Sequence, residues 1–188
     1  MMLMKFGARI FLVALPAVAG AQAVARVTER VLPDAPGAAI TTVTPQPGFF
    51  TEPSIAVDPR HPSHVVAVYQ DNAHAAWSDD GGRHWTIATG TEPPNYRVSG
   101  DVSVTFDRQG HAILCYMAFD RLGTAEYWAH GATRGGLFVR RSRDGGKSWE
   151  HDHIPIVEHP SEPGVPWEDK PYIVADMTFP HRMGPKLS

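Results

Sequence analysis

The chain has 188 residues, 43% apolar and 20% charged, a balance that excludes disorder as the dominant state and suits one domain with a real core. A formal charge of −3 without any block of Lys or Arg excludes the electrostatic footprint of a nucleic-acid partner or an anionic membrane surface. Gly and Pro, 17 of each, interrupt the chain too often for long helices and predict many short strands joined by turns, an all-β fold.

Residues 1–21 read as an export signal: Lys5 and Arg9 supply the positive start, 10–19 the apolar stretch and Ala19-Gly20-Ala21 a small-residue cleavage site. The apolar run is shorter than the roughly 20 residues of a spanning helix, and Pro16 interrupts it. A secreted or periplasmic chain is expected, beginning near Gln22 and free of the membrane once the signal is removed. Residues 22–49 then form an extension that can supply an outer strand. Cys115 is the only cysteine, which excludes an intrachain disulfide, and it is expected to be a buried small hydrophobe.

From Phe50 onward an internal repeat organises the chain. Glu52-Pro53-Ser54-Ile55-Ala56-Val57-Asp58, Asp101-Val102-Ser103-Val104-Thr105-Phe106-Asp107 and Lys170-Pro171-Tyr172-Ile173-Val174-Ala175-Asp176 share one design, a β-branched run ending at an Asp that starts a turn. The first two continue into second strands at 64–69 and 111–117. Third strands follow at 75–77 and 137–141, and fourth strands at 86–88 and 150–157, giving four strands per repeat, the size of a propeller blade. The third copy opens with 170–176 and shows no further strand of this pattern before Ser188.

Between the third and fourth strands stand two near-identical turns, Ser78-Asp79-Asp80-Gly81-Gly82-Arg83-His84-Trp85 and Ser142-Arg143-Asp144-Gly145-Gly146-Lys147-Ser148-Trp149. Asp80 and Asp144 can accept backbone N–H groups within the turn, Gly82 and Gly146 supply positive φ, and Trp85 and Trp149 close the hairpin on the sheet beneath. Ser78 and Ser142 open each turn.

These turns resemble the Asp box, Ser-x-Asp-x-Gly-x-(Ser/Thr)-Trp, of sialidases and other BNR-repeat propellers; the second matches throughout, and the first departs once, at His84. The resemblance implies a partial β-propeller of the sialidase type, with blades at about 50–99 and 100–166 and an incomplete one at 167–188. It also implies what a sialidase needs: a six-bladed ring, three arginines for the substrate carboxylate, a Tyr nucleophile with its Glu, and an Asp acid/base. The first arginine belongs to a Phe-Arg-Ile-Pro motif, and Phe50-Thr51-Glu52-Pro53 has Thr51 in its place. Thr51 cannot pair bidentately with a carboxylate, and Glu52 would repel one.

The expected function is therefore an exported, non-catalytic segment that binds a glycan or a protein. An N-terminal portion of an exo-α-sialidase and a structural interaction module are the alternatives. Binding is expected on the face opposite the Asp-box turns, built from 71–74, 90–100, 120–135 and 158–169, the longest loops. Arg97, Arg121, Tyr127 and Trp128 are the ligand-binding candidates there, and Asp71 and Asp120, each just after a second strand, are the only acid/base candidates. His151 and His153 alternate, but with no third ligand no metal is expected, and no cofactor. Exposed blade edges are expected to favour self-association.

Overall fold

The computed structural model describes residues 40–44, 48, 50–70, 72–121, 132–159 and 168–178. The chain divides into units 1–41 and 42–188, and every strand falls in the second. The described residues include no helix, so none is long and apolar enough to cross a membrane. The export signal lies outside the described residues.

Two four-stranded antiparallel sheets carry the repeat. The first contains β1 (Thr51–Val57), β2 (Val65–Gln70), β3 (His74–Ser78) and β4 (Thr86–Ile87); the second contains β5 (Val98–Phe106), β6 (Ala112–Phe119), β7 (Gly135–Ser142) and β8 (Ile154–His159). Each is a simple meander, in which every strand pairs antiparallel with the next one in the chain. The all-β expectation and the strand pairs follow the sequence closely. The fourth strand of the second sheet is the exception, starting at Ile154 instead of 150, because Glu150 N–H still bonds Arg141 O at the end of the turn.

Val66, Val68 and Ala75 of the first sheet pack against Val104, Phe106, Leu114, Tyr116 and Phe138 of the second in one buried apolar cluster. Phe138, Tyr116 and Val66 are fully buried, each contributing about 1.5–3 kcal/mol from side-chain burial. Cys115, between Leu114 and Tyr116 on β6, is also buried, at 2% exposure, and burial pushes its thiol up to about 11, a packing residue in keeping with expectation.

Polar clasps fix the two sheets to each other at both ends. At the turn end, the His64 ring reaches Asp79 Oδ1 through Nδ1 (2.5 Å) and Gly145 O through Nε2 (2.6 Å), while Lys147 Nζ pairs with Asp79 Oδ2 at 3.0 Å. At the opposite end, Ala73 N–H donates to Ser99 Oγ (2.8 Å), Ser99 N–H to Asn72 Oδ1 (3.1 Å) and Asp101 N–H to Gln70 Oε1 (2.7 Å).

Candidate functional site

The first strands of the repeat lie side by side, and the same bond recurs along the row. Val104 N–H donates to Ser54 Oγ, and one repeat later Ile173 N–H donates to Ser103 Oγ, each at 3.2 Å. Residues 170–176 join neither sheet as a strand, yet they lie along β5 as β5 lies along β1.

Equivalent positions also share an unusual backbone. Glu52, Asp101 and Lys170 have φ of 47°, 44° and 48°, the left-handed region that non-glycine residues rarely adopt. In β1 and β5 the position falls within an irregularity of the pairing with the next strand, between Thr51 and Ser54 and between Gly100 and Ser103. Backbone strain at the same point in three copies gathers polar side chains where the first strands begin.

Asp101 is the centre of that gathering, only 6% exposed. Its Oδ2 accepts Lys170 N–H at 2.9 Å, and Lys170 Nζ pairs with Glu52. Burial pushes the Asp101 carboxyl up to about 6; the Lys170 N–H works against this, and the acidic Asp169 and Glu52 add to it. A carboxyl of this kind exchanges its proton near neutral pH, beside exposed Asp169 and Lys170. Asp101 was not a candidate in the sequence, where it reads as the first residue of a strand; its alignment with Glu52 and Lys170 was the available signal.

Asp120 lies at the end of β6. Its Oδ1 accepts Thr133 N–H (2.9 Å) and Arg134 N–H (3.3 Å), and its Oδ2 accepts the Thr133 hydroxyl (2.6 Å). Burial pushes this carboxyl up, but the Thr133 and Arg134 bonds outweigh it and hold Asp120 below the usual carboxylate range. Such a group clasps its loop as an anion and has no proton to donate at neutral pH. Arg121 stands beside it, 3.8 Å away and 57% exposed, and Arg97 is exposed just before β5.

Tyr96, next to Arg97 in the chain, donates its hydroxyl to Glu158 (2.5 Å) and lies under the Arg134 guanidinium, 4.7 Å from the ring centroid. Asp71, Tyr127 and Trp128 lie outside the described residues. His151 and His153 do not act together, because His151 is 88% exposed whereas His153 stacks on Phe138 at 4.2 Å and meets the Tyr116 hydroxyl through Nδ1 (2.8 Å). Burial, then the Arg140 charge, pushes His153 down and favours its neutral form. Among the described residues no group of three His, Cys, Asp or Glu side chains is placed to hold a metal.

In both Ser-Asp-Gly turns the aspartate carboxylate gathers the donors of its own turn. In the first turn Asp80 Oδ1 accepts the Ser78 hydroxyl and the N–H groups of Arg83 and His84, at 2.7, 2.9 and 3.0 Å. In the second, Asp144 Oδ1 accepts the Ser142 hydroxyl and the N–H groups of Lys147 and Ser148, at 2.6, 3.1 and 2.9 Å. His84 fills the variant position functionally, its Nδ1 meeting Asp80 Oδ2 at 2.5 Å where the Ser148 hydroxyl donates to Asp144 Oδ2 at 2.6 Å. The His84 N–H, then the His84 ring and the Ser78 hydroxyl, hold the Asp80 carboxyl well below its usual range.

Beside these turns lies an open cleft of about 410 Å³, bordered by Asp58, Arg60, His64, Asp79, Arg143 and Lys147. Its acids are already engaged: Asp58 by Arg60 N–H and His61, Asp79 by His64 and Lys147. Sequence reasoning placed recognition only at the other end. No protein-family model matches the chain, and no curated protein matches it.

Proposed function

We propose that the two sheets are neighbouring blades of an Asp-box propeller of the sialidase type, and that the chain is an exported, non-catalytic glycan-binding segment. The observation that carries this reading is the repeated bond from Val104 N–H to Ser54 Oγ and from Ile173 N–H to Ser103 Oγ, which supports adjacent first strands ordered about a common line. The binding end is where those strands begin. Exposed Arg97 and Arg121 offer planar donors there, and Glu52, Asp169 and Lys170 offer the mixed donors and acceptors that sugar hydroxyls require. Asp120, held as an anion by its loop, supports binding over catalysis.

Titration calorimetry against sialylated and neutral oligosaccharides tests the reading. Saturable binding that falls at least tenfold in Arg97→Ala or Arg121→Ala is the expected result, and absence of binding to both sugar classes would refute it.

A second reading, the N-terminal portion of a glycoside hydrolase, draws on the Asp101 carboxyl poised near pH 6. Hydrolysis of a fluorogenic sialoside by the full gene product, lost in Asp101→Asn, would replace the first reading with this one.

A further inference from the structure

Along the row of first strands, one repeat position meets three different surroundings. In β1, Ser54 and Ala56 face β5: Ser54 accepts its N–H bond, and Ala56 packs on the shared core. Ile55 and Val57, on the other side of β1, are 64% and 52% exposed.

In residues 170–176 the sense is reversed. Ile173 and Ala175 face β5, donating their N–H groups to Ser103 Oγ (3.2 Å) and Thr105 Oγ1 (3.4 Å), while Tyr172 and Val174 are 81% and 87% exposed. β5, in the middle, is covered on both sides: Val104 and Phe106, the counterparts of Ile55 and Val57, are 6% and 1% exposed. The molecule thus carries two open apolar sides that face opposite ways along one row, and each is the side that β5 covers.

We propose that Tyr172 and Val174 of one molecule dock against Ile55 and Val57 of a second copy, head to tail. The contact continues between molecules what β1 makes with β5, and β5 with 170–176, inside one. A second copy is the occupant because the spacing and alternation that match the open side of β1 already occur twice in this chain. Tyr172 replaces the serine of the two earlier copies, so this seam is apolar where the internal ones are hydrogen-bonded, in keeping with the aliphatic Ile55 and Val57.

Unlike faces meet in such a contact, so it propagates from molecule to molecule unless the rotation closes it into a ring. Four side chains make a patch well below the roughly 800 Å² per partner of a standard interface, so association is reversible and concentration-dependent.

Sedimentation equilibrium of the full chain, from about 10 μM to about 1 mM, a range that spans weak, reversible association, tests the proposal. The weight-average mass is expected to rise with concentration in the wild type and to stay monomeric in Ile55→Lys and in Val174→Lys, each measured alone. An equimolar mixture of the two variants pairs one intact face from each, so it is expected to form 1:1 dimers and go no further. Both positions are already solvent-facing, and unchanged circular dichroism confirms that the fold survives; Tyr172→Lys, on the same side as Val174, must reproduce Val174→Lys. A wild type that stays monomeric throughout, a single variant that still associates, or a mixture that fails to dimerise would each overturn the proposal.

Discussion

The two Ser-Asp-Gly turns, 78–85 and 142–149, share a backbone but differ in their surroundings. Gly81 and Gly82 have φ of 76° and 87°, and Gly145 and Gly146 have 78° and 91°, so the Ser-Asp-Gly chemistry builds the same turn twice. The first stands at the surface: nothing lies within 4 Å of a Cβ placed on Gly81, and half-buried Trp85 folds back to donate its indole N–H to Gly82 O at 2.9 Å. The second is pressed into the first sheet. A Cβ on Gly145 would lie 2.7 Å from His64 Nε2, one on Gly146 would lie 2.5 Å from Val66 Cγ2, and Trp149 belongs to the core. The motif thus dictates a local conformation, and the neighbouring sheet decides which of its residues hold the molecule together.

Exchanging the tryptophans breaks this comparison most directly. Trp149→Ala is expected to lower stability by about 3–5 kcal/mol, the range for emptying an aromatic core site, against about 1–2 kcal/mol for half-exposed Trp85→Ala, both read from urea denaturation midpoints. Equal losses would mean that the two turns are equivalent after all.

The glycines sharpen the same point. Alanine at 82 or 146 meets the same left-handed strain of about 1–2 kcal/mol, but at 146 it also collides with Val66, so Gly146→Ala should cost about 1–3 kcal/mol more than Gly82→Ala. Thermal melts of the pair decide it.

A smaller contrast lies in pH dependence, between Asp144 of the second turn and Asp101 at the other end. Burial alone would push Asp144 up, but the Ser142 and Ser148 hydroxyls and the Ser148 and Lys147 N–H groups outweigh it and hold this carboxyl below its usual range. Its stabilising contribution is therefore present at neutral pH and lost as pH falls through the lowered folded value. Asp101 runs the opposite way: with a folded value of about 6 against an ordinary 3.8, it favours folding below pH 3.8 and loses that contribution as pH rises through 6. The span is at most about 3 kcal/mol. Asp101→Asn should accordingly flatten the melting-temperature profile between pH 4 and 7 and raise its neutral end. An unchanged profile would show that Asp101 is ionised in the fold as it is in an open chain.

Much of this was legible in the sequence because turns and strands are local. Ser78, Asp80, Gly82 and their counterparts announce the hairpin tips within eight residues, and alternating β-branched runs announce the strands between them. Contacts between repeats were harder to read. Glu52, Asp101 and Lys170 adopt positive φ without the glycine that would have flagged it, and the shared strain emerges only when β1, β5 and residues 170–176 are set side by side. His64 precedes β2 in the sequence, and its bond to Gly145, 81 residues away, leaves no local mark. The buried Arg140, with its Nη1 on Gly90 O and its guanidinium 5.8 Å from the Tyr116 ring centroid, likewise reads as a surface residue in the run Arg140-Arg141.

The clasps at both ends of the sheet pair have a mechanical consequence. The apolar attraction between the sheets resists separation, but being non-directional it does little by itself to fix their register. Bonds such as His64 to Gly145 and Ala73 to Ser99, fastened at opposite ends, remove that freedom as two pins lock a sliding bolt. Load applied along the strands would therefore meet a directional shear threshold, whereas load applied across them would peel the layer open contact by contact.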